Sequence, residues 1–311
     1  MTTRVTDQAR YLDLAPQYNS LLAQQLTIQQ QISSGKRLTR IDQDPIAASQ
    51  AQQLHAEDSR VQQDLTNIDA MNSFSQMTGT AVGNAVQYIQ RAHELAISGG
   101  DATKSPSDLA SIAGEVNQVI QGLIDTGAQQ FEGQYIFSGA KSNTPAFTAV
   151  KDAAGNITSV TYNGDGSSLQ AEYAPGKLID YNALGSNENG GTFGVFKDVG
   201  AGIDTFQTLI QLRNDLTSNP QNLSNDVGAV NTVLAHLTAA EVKVGGTQNR
   251  LAAMTTAQQD LHDQFGQNLS AVEDTDVAAS ATKLAGLQNA YQAALAIGAK
   301  VGQMSLLDYL R

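Results

Sequence analysis

Cysteine is absent from all 311 residues, so disulfides, thiolate chemistry and Cys-based metal sites are excluded together. Tryptophan is absent as well, and aromatics make up 5% of the chain. Ala, Gln, Asn, Ser and Thr dominate instead, a composition closer to long helices than to a dense enzyme core. No window approaches about eighteen consecutive apolar residues, and Met1 to Arg10 lacks an apolar h-region. Neither a membrane span nor a Sec-type leader is expected. A basic stripe with interleaved aromatics is also missing, and at a net charge of -12 the chain repels phosphate, so nucleic acid is not an expected partner. The four histidines, His55, His93, His236 and His262, fall in helical patterns with no second ligand at i, i+4. No catalytic residue, cofactor or metal site is expected. Ser33-Ser34-Gly35-Lys36 lacks the glycine spacing of a phosphate loop, and Asp44 before Pro45 reads as a helix cap, not a calcium ligand.

What the chain does have is length and two matching ends. It exceeds the usual single-domain size of roughly 100 to 150 residues, so two or three structural units are expected. Residues 1–44 carry five basic and four acidic side chains and residues 271–311 carry three and four, so the ends together are neutral. The whole acidic excess lies between them. Copies would repel through their middles, while the ends can pack side by side at little electrostatic cost.

Both ends are amphipathic. Val277, Ala281, Leu284, Leu287, Tyr291, Ala294, Gly298 and Val301 step by three and four along one helix face, and Tyr11, Leu14, Tyr18, Leu21, Ile28 and Ile32 do the same near the start. Neither helix buries enough alone to offset its ordering entropy, so each reads as half of a coiled coil. The C-terminal helix is rich in Ala and Gly (Ala285, Gly286, Ala290, Ala293), which lets backbones approach closely. Leu295 lies on the same helix, and the chain finishes on an apolar tail containing Leu306, Leu307, Tyr309 and Leu310, a liability on a monomer that a second copy would cover. The self-assembly surface is therefore expected to comprise Leu14, Leu21, Ile28, Ile32, Leu284, Leu287, Tyr291, Leu295, Val301 and that tail.

Between the ends, Pro16 either starts or kinks the first helix, which runs to about Ser33 and stops at Gly35. Helix is expected from Pro45 to about Ser98, then from a capping box at Ser105 to Asp108 onward. Turn signals at Gly155-Asn156, Asn163-Gly164 and Pro175-Gly176 separate short β-prone runs at 157–162, 169–173 and 178–181. Helix returns from Phe206, pauses at Asn219-Pro220 and continues to the C-terminal seam. Gly245-Gly246 within it suggests a close helix contact or a kink. The predicted fold is mainly α: an elongated bundle of long helices, terminal coiled-coil helices paired at one end, and a small β-rich insert at the other. The expected division is 1–44 with 272–311 for assembly, 45–144 with 203–271 for the bundle, and 145–202 for the insert, with a helical body that survives removal of the insert.

Ile32-Ser33-Ser34-Gly35-Lys36-Arg37-Leu38 followed by Asp42-Gln43-Asp44-Pro45-Ile46 resembles the N-terminal segment of bacterial flagellins, and Gln248-Asn249-Arg250-Leu251 with Val272-Glu273-Asp274-Thr275-Asp276 resembles their C-terminal counterpart. Phe131-Glu132-Gly133-Gln134-Tyr135-Ile136-Phe137-Ser138-Gly139, then Thr144-Pro145-Ala146-Phe147, together with the ending Met304 to Leu310, is similar to the hook-filament junction branch of that superfamily, the hook-associated protein 3 family. The motif residues carrying the resemblance are Ser34, Gly35, Asp44, Pro45, Gly133, Tyr135, Phe137, Gly139, Pro145, Phe147, Asn249 and Arg250.

The resemblance implies a non-enzymatic structural part of the bacterial flagellum, exported without a cleavable signal peptide through the type III channel to the cell exterior. It implies terminal helices that are disordered in the free chain and form an inner tubular coiled coil on assembly. The implied partners are copies of itself in a ring, the adjacent hook-associated protein on the hook side, flagellin on the filament side, and an export chaperone at the C-terminal region. Head-to-tail, non-closing interfaces between copies give tubes, which fits ends that fold when packed. A flagellin forming the filament itself is the alternative within the class; a cytoplasmic helical binding protein or chaperone is the alternative outside it. An enzyme module in the insert is opposed by its length, about 60 residues, and by the lack of any acid, base, nucleophile or metal cluster in it.

Overall fold

The structure, a computed structural model, describes residues 3–188 and 192–309, and the side chains of residues 16–188 and 192–299. Among the described residues six α-helices carry most of the length: α1 (Thr3–Ser34), α2 (Pro45–Gly99), α3 (Pro106–Gly127), α4 (Thr205–Ser218), α5 (Leu223–Glu273) and α6 (Val277–Tyr309). None of the described helices is long and apolar enough to cross a membrane. Their ends follow from local chemistry. Gly35 adopts φ 69 just past α1, the left-handed conformation that glycine takes without strain. Pro45 supplies a preset φ for the first turn of α2, while Asp44 Oδ1 accepts from the amide of Ala47 at 3.0 Å. The box before α3 forms in both directions, with the Asp108 amide donating to Ser105 Oγ and the Ser105 amide donating to Asp108 Oδ2.

Pro16 does not start the first helix. The α1 assignment runs through it from Thr3, at the cost of the one backbone donor that proline lacks. Gly245 and Gly246 also depart from expectation: nothing lies within 4 Å of where a Cβ would sit on either, so neither marks a close helix contact. Replacing both by alanine is therefore expected to raise the thermal unfolding midpoint, each change removing about 0.8 to 1 kcal/mol of helix penalty. A lower midpoint would show that something occupies that space.

The contacts divide the chain into two compact units, Met1–Arg60 with Asp260–Arg311, and Val61–Gln259. The sequence suggests three parts instead, and the packing of the second unit explains the difference. One buried cluster there runs from Ile89 of α2 through Ile120 and Leu123 of α3 and Leu209, Leu212 and Leu216 of α4 to Val230 and Leu237 of α5. The same cluster contains Phe137, Phe147, Ile157 and Phe196 from the β-rich segment. Insert and bundle thus contribute to one buried cluster.

Among the described residues of that segment there are nine short strands. A hairpin pairs β1 (Gln130–Phe131) with β2 (Gln134–Tyr135), turning on Glu132 and Gly133 at φ 50 and 80. A second pairs β3 (Phe147–Lys151) with β4 (Ile157–Tyr162), and a third pairs β5 (Gln170–Ala174) with β6 (Lys177–Asp180). The remaining sheet has the order β7 (Leu184–Ser186), β8 (Gly194–Asp198), β9 (Ile203–Asp204), with β7 and β8 parallel. Phe147 is the hub, its ring centroid 5.3 Å from Phe196, 4.9 Å from Phe206 and 5.3 Å from Tyr162. Arg213, buried on α4, clamps strand to helix, donating to Ile157 O and to Asn117 Oδ1 at 3.0 Å, while the Ile157 amide donates to the same Asn117 oxygen.

Candidate functional site

In the terminal unit, α1 lies against α6. Tyr18 Oη donates to the carbonyl of Ala294 at 2.6 Å, and its ring meets Tyr291 edge-on at 6.4 Å. The phenol fits because Gly298 has no side chain; a Cβ there would strike the Tyr18 hydroxyl. Leu284, Leu287 and Tyr291 form the half-buried stripe expected of the seam, with Leu21 and Ile32 half-buried and Ile28 buried on α1. Leu295 is exposed, and so is Val277, although it lies two turns before Leu284 on the same face. Leu14, Val301, Leu306, Leu307 and Tyr309 sit on helical backbone with side chains outside the described residues, and Leu310 lies outside them altogether.

A polar clasp closes the unit where α1 ends and α6 begins. Lys36 pairs with Asp274 in an antiparallel bridge, and the Thr275 amide donates to Gly35 O at 2.9 Å. Lys36 Nζ reaches Asp274 Oδ1 at 2.7 Å and Glu273 Oε2 at 3.2 Å. Arg37 donates to Val272 O at 2.8 Å and pairs with Asp44 at 3.2 Å, so the cap of α2 joins the same knot. Glu273 Oε1 takes His55 Nε2 at 2.7 Å, and Asp58 Oδ1 takes His262 Nδ1 at 2.6 Å. The charges respond. Hydrogen bonds to Asp274 and then Glu273 raise the Lys36 ammonium above its ordinary value, and the Lys36 and Ser270 hydrogen bonds hold Asp274 low. Burial alone would raise Glu273, but hydrogen bonds from His55 and Lys36 outweigh it and hold that carboxyl low. The Ala47 amide, then Arg37, lower Asp44.

The motif residues read from the sequence fall in two places. Ser34, Gly35, Asp44 and Pro45 build the clasp. Gly133, Tyr135, Phe137, Gly139, Pro145 and Phe147 lie in the second unit, where Gly139 at φ 64 holds its Cα hydrogen against Asp165 and Phe137 is fully buried. Asn249 and Arg250 are exposed on α5 within that second unit and take no part in the clasp. The sequence reading missed His55 and Glu273 as clasp members, and nothing at a spacing of 218 residues could have signalled that pair.

The terminal unit lacks what would make it self-sufficient. Of the buried apolar residues among those described, it supplies Ile28, Ala51 and Leu269, while Leu22, Leu26, Ile41, Ile46, Leu261, Val277, Leu295 and Ile297 are all exposed on it. Ile41 and Ile46 are 78% and 83% exposed. Among the described residues no group of three or more His, Cys, Asp or Glu side chains could hold a metal ion.

Long helices with a terminal seam and a polar clasp, with several large apolar residues exposed beside them, are the features that comparison with known proteins places in a family. The model of the bacterial flagellin N-terminal helical region matches residues 7–142, that of the C-terminal helical region matches residues 227–310, and the chain belongs to the bacterial flagellin family. Within it, the chain is similar to the flagellar hook-associated protein 3 of Salmonella typhimurium, 29% identical over 187 residues covering 59% of this chain and 58% of that protein. Its counterpart from Escherichia coli is 30% identical over 155 residues, 49% of each chain, so the matches span about half the length of these relatives. The flagellar junction protein FlgL from Legionella pneumophila shares the fold, with a TM-score of 0.56 at 15% identity over 72% of this chain and 99% of that one.

Proposed function

We propose that this protein is a structural, non-enzymatic junction piece of the bacterial flagellum, joining the hook side to the flagellin filament by polymerising through its terminal helices. The observation that carries the reading is the composition of the terminal unit: three buried apolar residues against eight large exposed ones among those described. An isolated unit with that balance gains little from burial, whereas the same face stacked on further copies would bury it. The clasp holds α1, the start of α2 and α6 in one arrangement that each copy can present to the next. In this reading the paired helices are the assembled state, reached from less ordered ends in the free chain. Copies of itself, a hook-associated protein on the hook side and flagellin on the filament side are the partners. Export proceeds without a cleavable leader, with a chaperone on the C-terminal region, and places the protein outside the cell. The likeness to flagellar hook-associated and junction proteins supports the junction over a filament flagellin.

Leu284→Ala combined with Leu287→Ala tests it. Buried in an assembled layer, each truncation costs about 2 to 5 kcal/mol, repeated at every copy. In this reading the free chain carries both on a less ordered end, and neither belongs to the second unit. The expected result is an unchanged main unfolding transition together with filaments that detach, so that flagellin accumulates in the medium. A markedly lower transition would make the seam an intramolecular core and overturn the reading, as would full filament retention.

A further inference from the structure

We infer that a cleft in the second unit, between α2, residues 180–184 and 192–195, and α5, is a binding site for a dicarboxylate with a short apolar spacer. The cleft encloses about 240 Å³ and is lined by Ser75, Asp180, Tyr181, Phe193, Lys243 and Arg250, among others. Three independent features point to an anion. First, Lys243 and Arg250 lie seven residues apart on α5, two turns and about 10 Å along one face. Neither has a carboxylate in ion-pair range among the described residues, and both line the same cleft. Second, Ser75 lines the cleft at 1% exposure with no hydrogen-bond partner for its Oγ, a buried donor that a ligand oxygen would satisfy. Third, the Lys243 ammonium is held 4.2 Å from the Phe193 ring centroid, and that ring stacks on His236 at 4.4 Å, so the cation is positioned without being neutralised.

The geometry also sets the ligand class. Two cations separated by two helical turns suit two carboxylates on a short spacer better than one compact anion. Tyr181 and Phe193 offer that spacer an apolar wall. Asp180, whose Oδ1 accepts from Gln170 Nε2 at 2.8 Å, stands on the rim and repels a phosphate dianion more strongly than it does carboxylates carrying one charge each. The volume admits a small free diacid or a pair of acidic side chains from a second, acidic copy of this chain. The chemistry is shared by both sources.

The test uses the full chain with glutarate as the probe and uncharged glutaramide as the control. Glutarate is expected to shift the amide resonances of Ser75, Phe193 and Thr247 saturably at millimolar concentration, and glutaramide is expected to leave them unmoved. Lys243→Gln with Arg250→Gln, both exposed positions, should keep the unfolding midpoint and weaken glutarate by about tenfold or more, as loss of charge-assisted hydrogen bonds does. Absence of saturation, or undiminished binding in the double variant, overturns the proposal, whatever assembly does. Where glutarate binds, Lys243→Glu with Arg250→Glu separates the sources. Impaired filament attachment assigns the carboxylates to a second copy, and normal attachment assigns them to a free diacid. The binding arm does not depend on the junction reading, so the two can fail separately.

Discussion

Phe147→Ala is expected to destabilise the second unit by about 3 to 5 kcal/mol and to lower the helical signal together with the sheet signal. The size follows from position. Phe147 is 4% exposed, its ring touches three other aromatic rings, and a Cβ on Gly127 of α3 would meet its edge. Truncation therefore opens a void bounded by β4, β8, α3 and α4 at once, and so many rigid walls cannot collapse into it. The shared loss of signal follows from the fused core. Were the β-rich segment a separate module, the variant would lose its strands at low temperature while the helices melted as before. Circular dichroism at 222 nm against near-ultraviolet tyrosine signal distinguishes these outcomes, and two separated transitions would refute the fused core. The same reasoning predicts that removal of residues 145–202 weakens the helical body, because that deletion strips Phe206 and Arg213 of partners.

The second large effect concerns a buried carboxyl pair where α4 turns into α5. Asp215 and Asp226 are each 5% exposed. Asp215 accepts from Gln211 Nε2 at 3.0 Å and Asn222 Nδ2 at 2.6 Å, whereas Asp226 has the same Asn222 amide at 3.4 Å and an Oδ2 with no partner. Burial first, then the charge and hydrogen bond of Asp215, push the Asp226 carboxyl up to about 6. A folded-state value above the ordinary carboxylate range means that the folded chain holds this proton more tightly than the unfolded chain. The pair thus favours folding below about pH 4, the advantage falls as pH rises from 4 to 6, and above 6 it is gone. The difference between those limits is about 3 kcal/mol. Asp226→Asn keeps the shape and removes the charge. It is expected to raise the unfolding free energy at pH 8 by roughly that amount and to change it little at pH 4. The readout is the variant-minus-native difference across pH, which cancels the other titrating groups. A flat difference would show that Asp226 is ionised without penalty.

Much of this was legible beforehand where chemistry is local. The start of α2 at Pro45, its end within a residue of Ser98 and the capping box at Ser105 were all readable because caps act over three or four residues. Strands β4, β5 and β6 were signalled by the turns that flank them. Strands β3 and β8 were not, since Phe147–Lys151 and Gly194–Asp198 are five-residue runs whose partners, not their composition, make them strands. The β1–β2 hairpin is two residues a side, too short for any periodicity. Family resemblance marked Gly133 and Phe137 without saying that one turns a hairpin and the other fills a core. The seam was visible as a stripe, but the clasp was not, because Lys36 meets Asp274 across 238 residues. The acidic pair was hidden for the same reason on a smaller scale: a 3-10 turn at Pro220–Asn222 brings Asp226 back onto Asp215.

That separation between Lys36 and Asp274 also bears on the order of construction. Hairpins β1–β2, β3–β4 and β5–β6 each join neighbours in the chain, so their registers can be set in about 1 to 10 microseconds, before the covering helices are reached. The Arg213 clamp must wait for a segment 96 residues beyond Asn117. The clasp waits longer, since Lys36 and Asp274 lie 238 residues apart, and the Tyr18–Ala294 contact, 276 residues apart, closes a larger loop still at a higher entropic cost. A nascent chain therefore completes the core of its second unit while the α1–α6 pairing is still in two unjoined pieces.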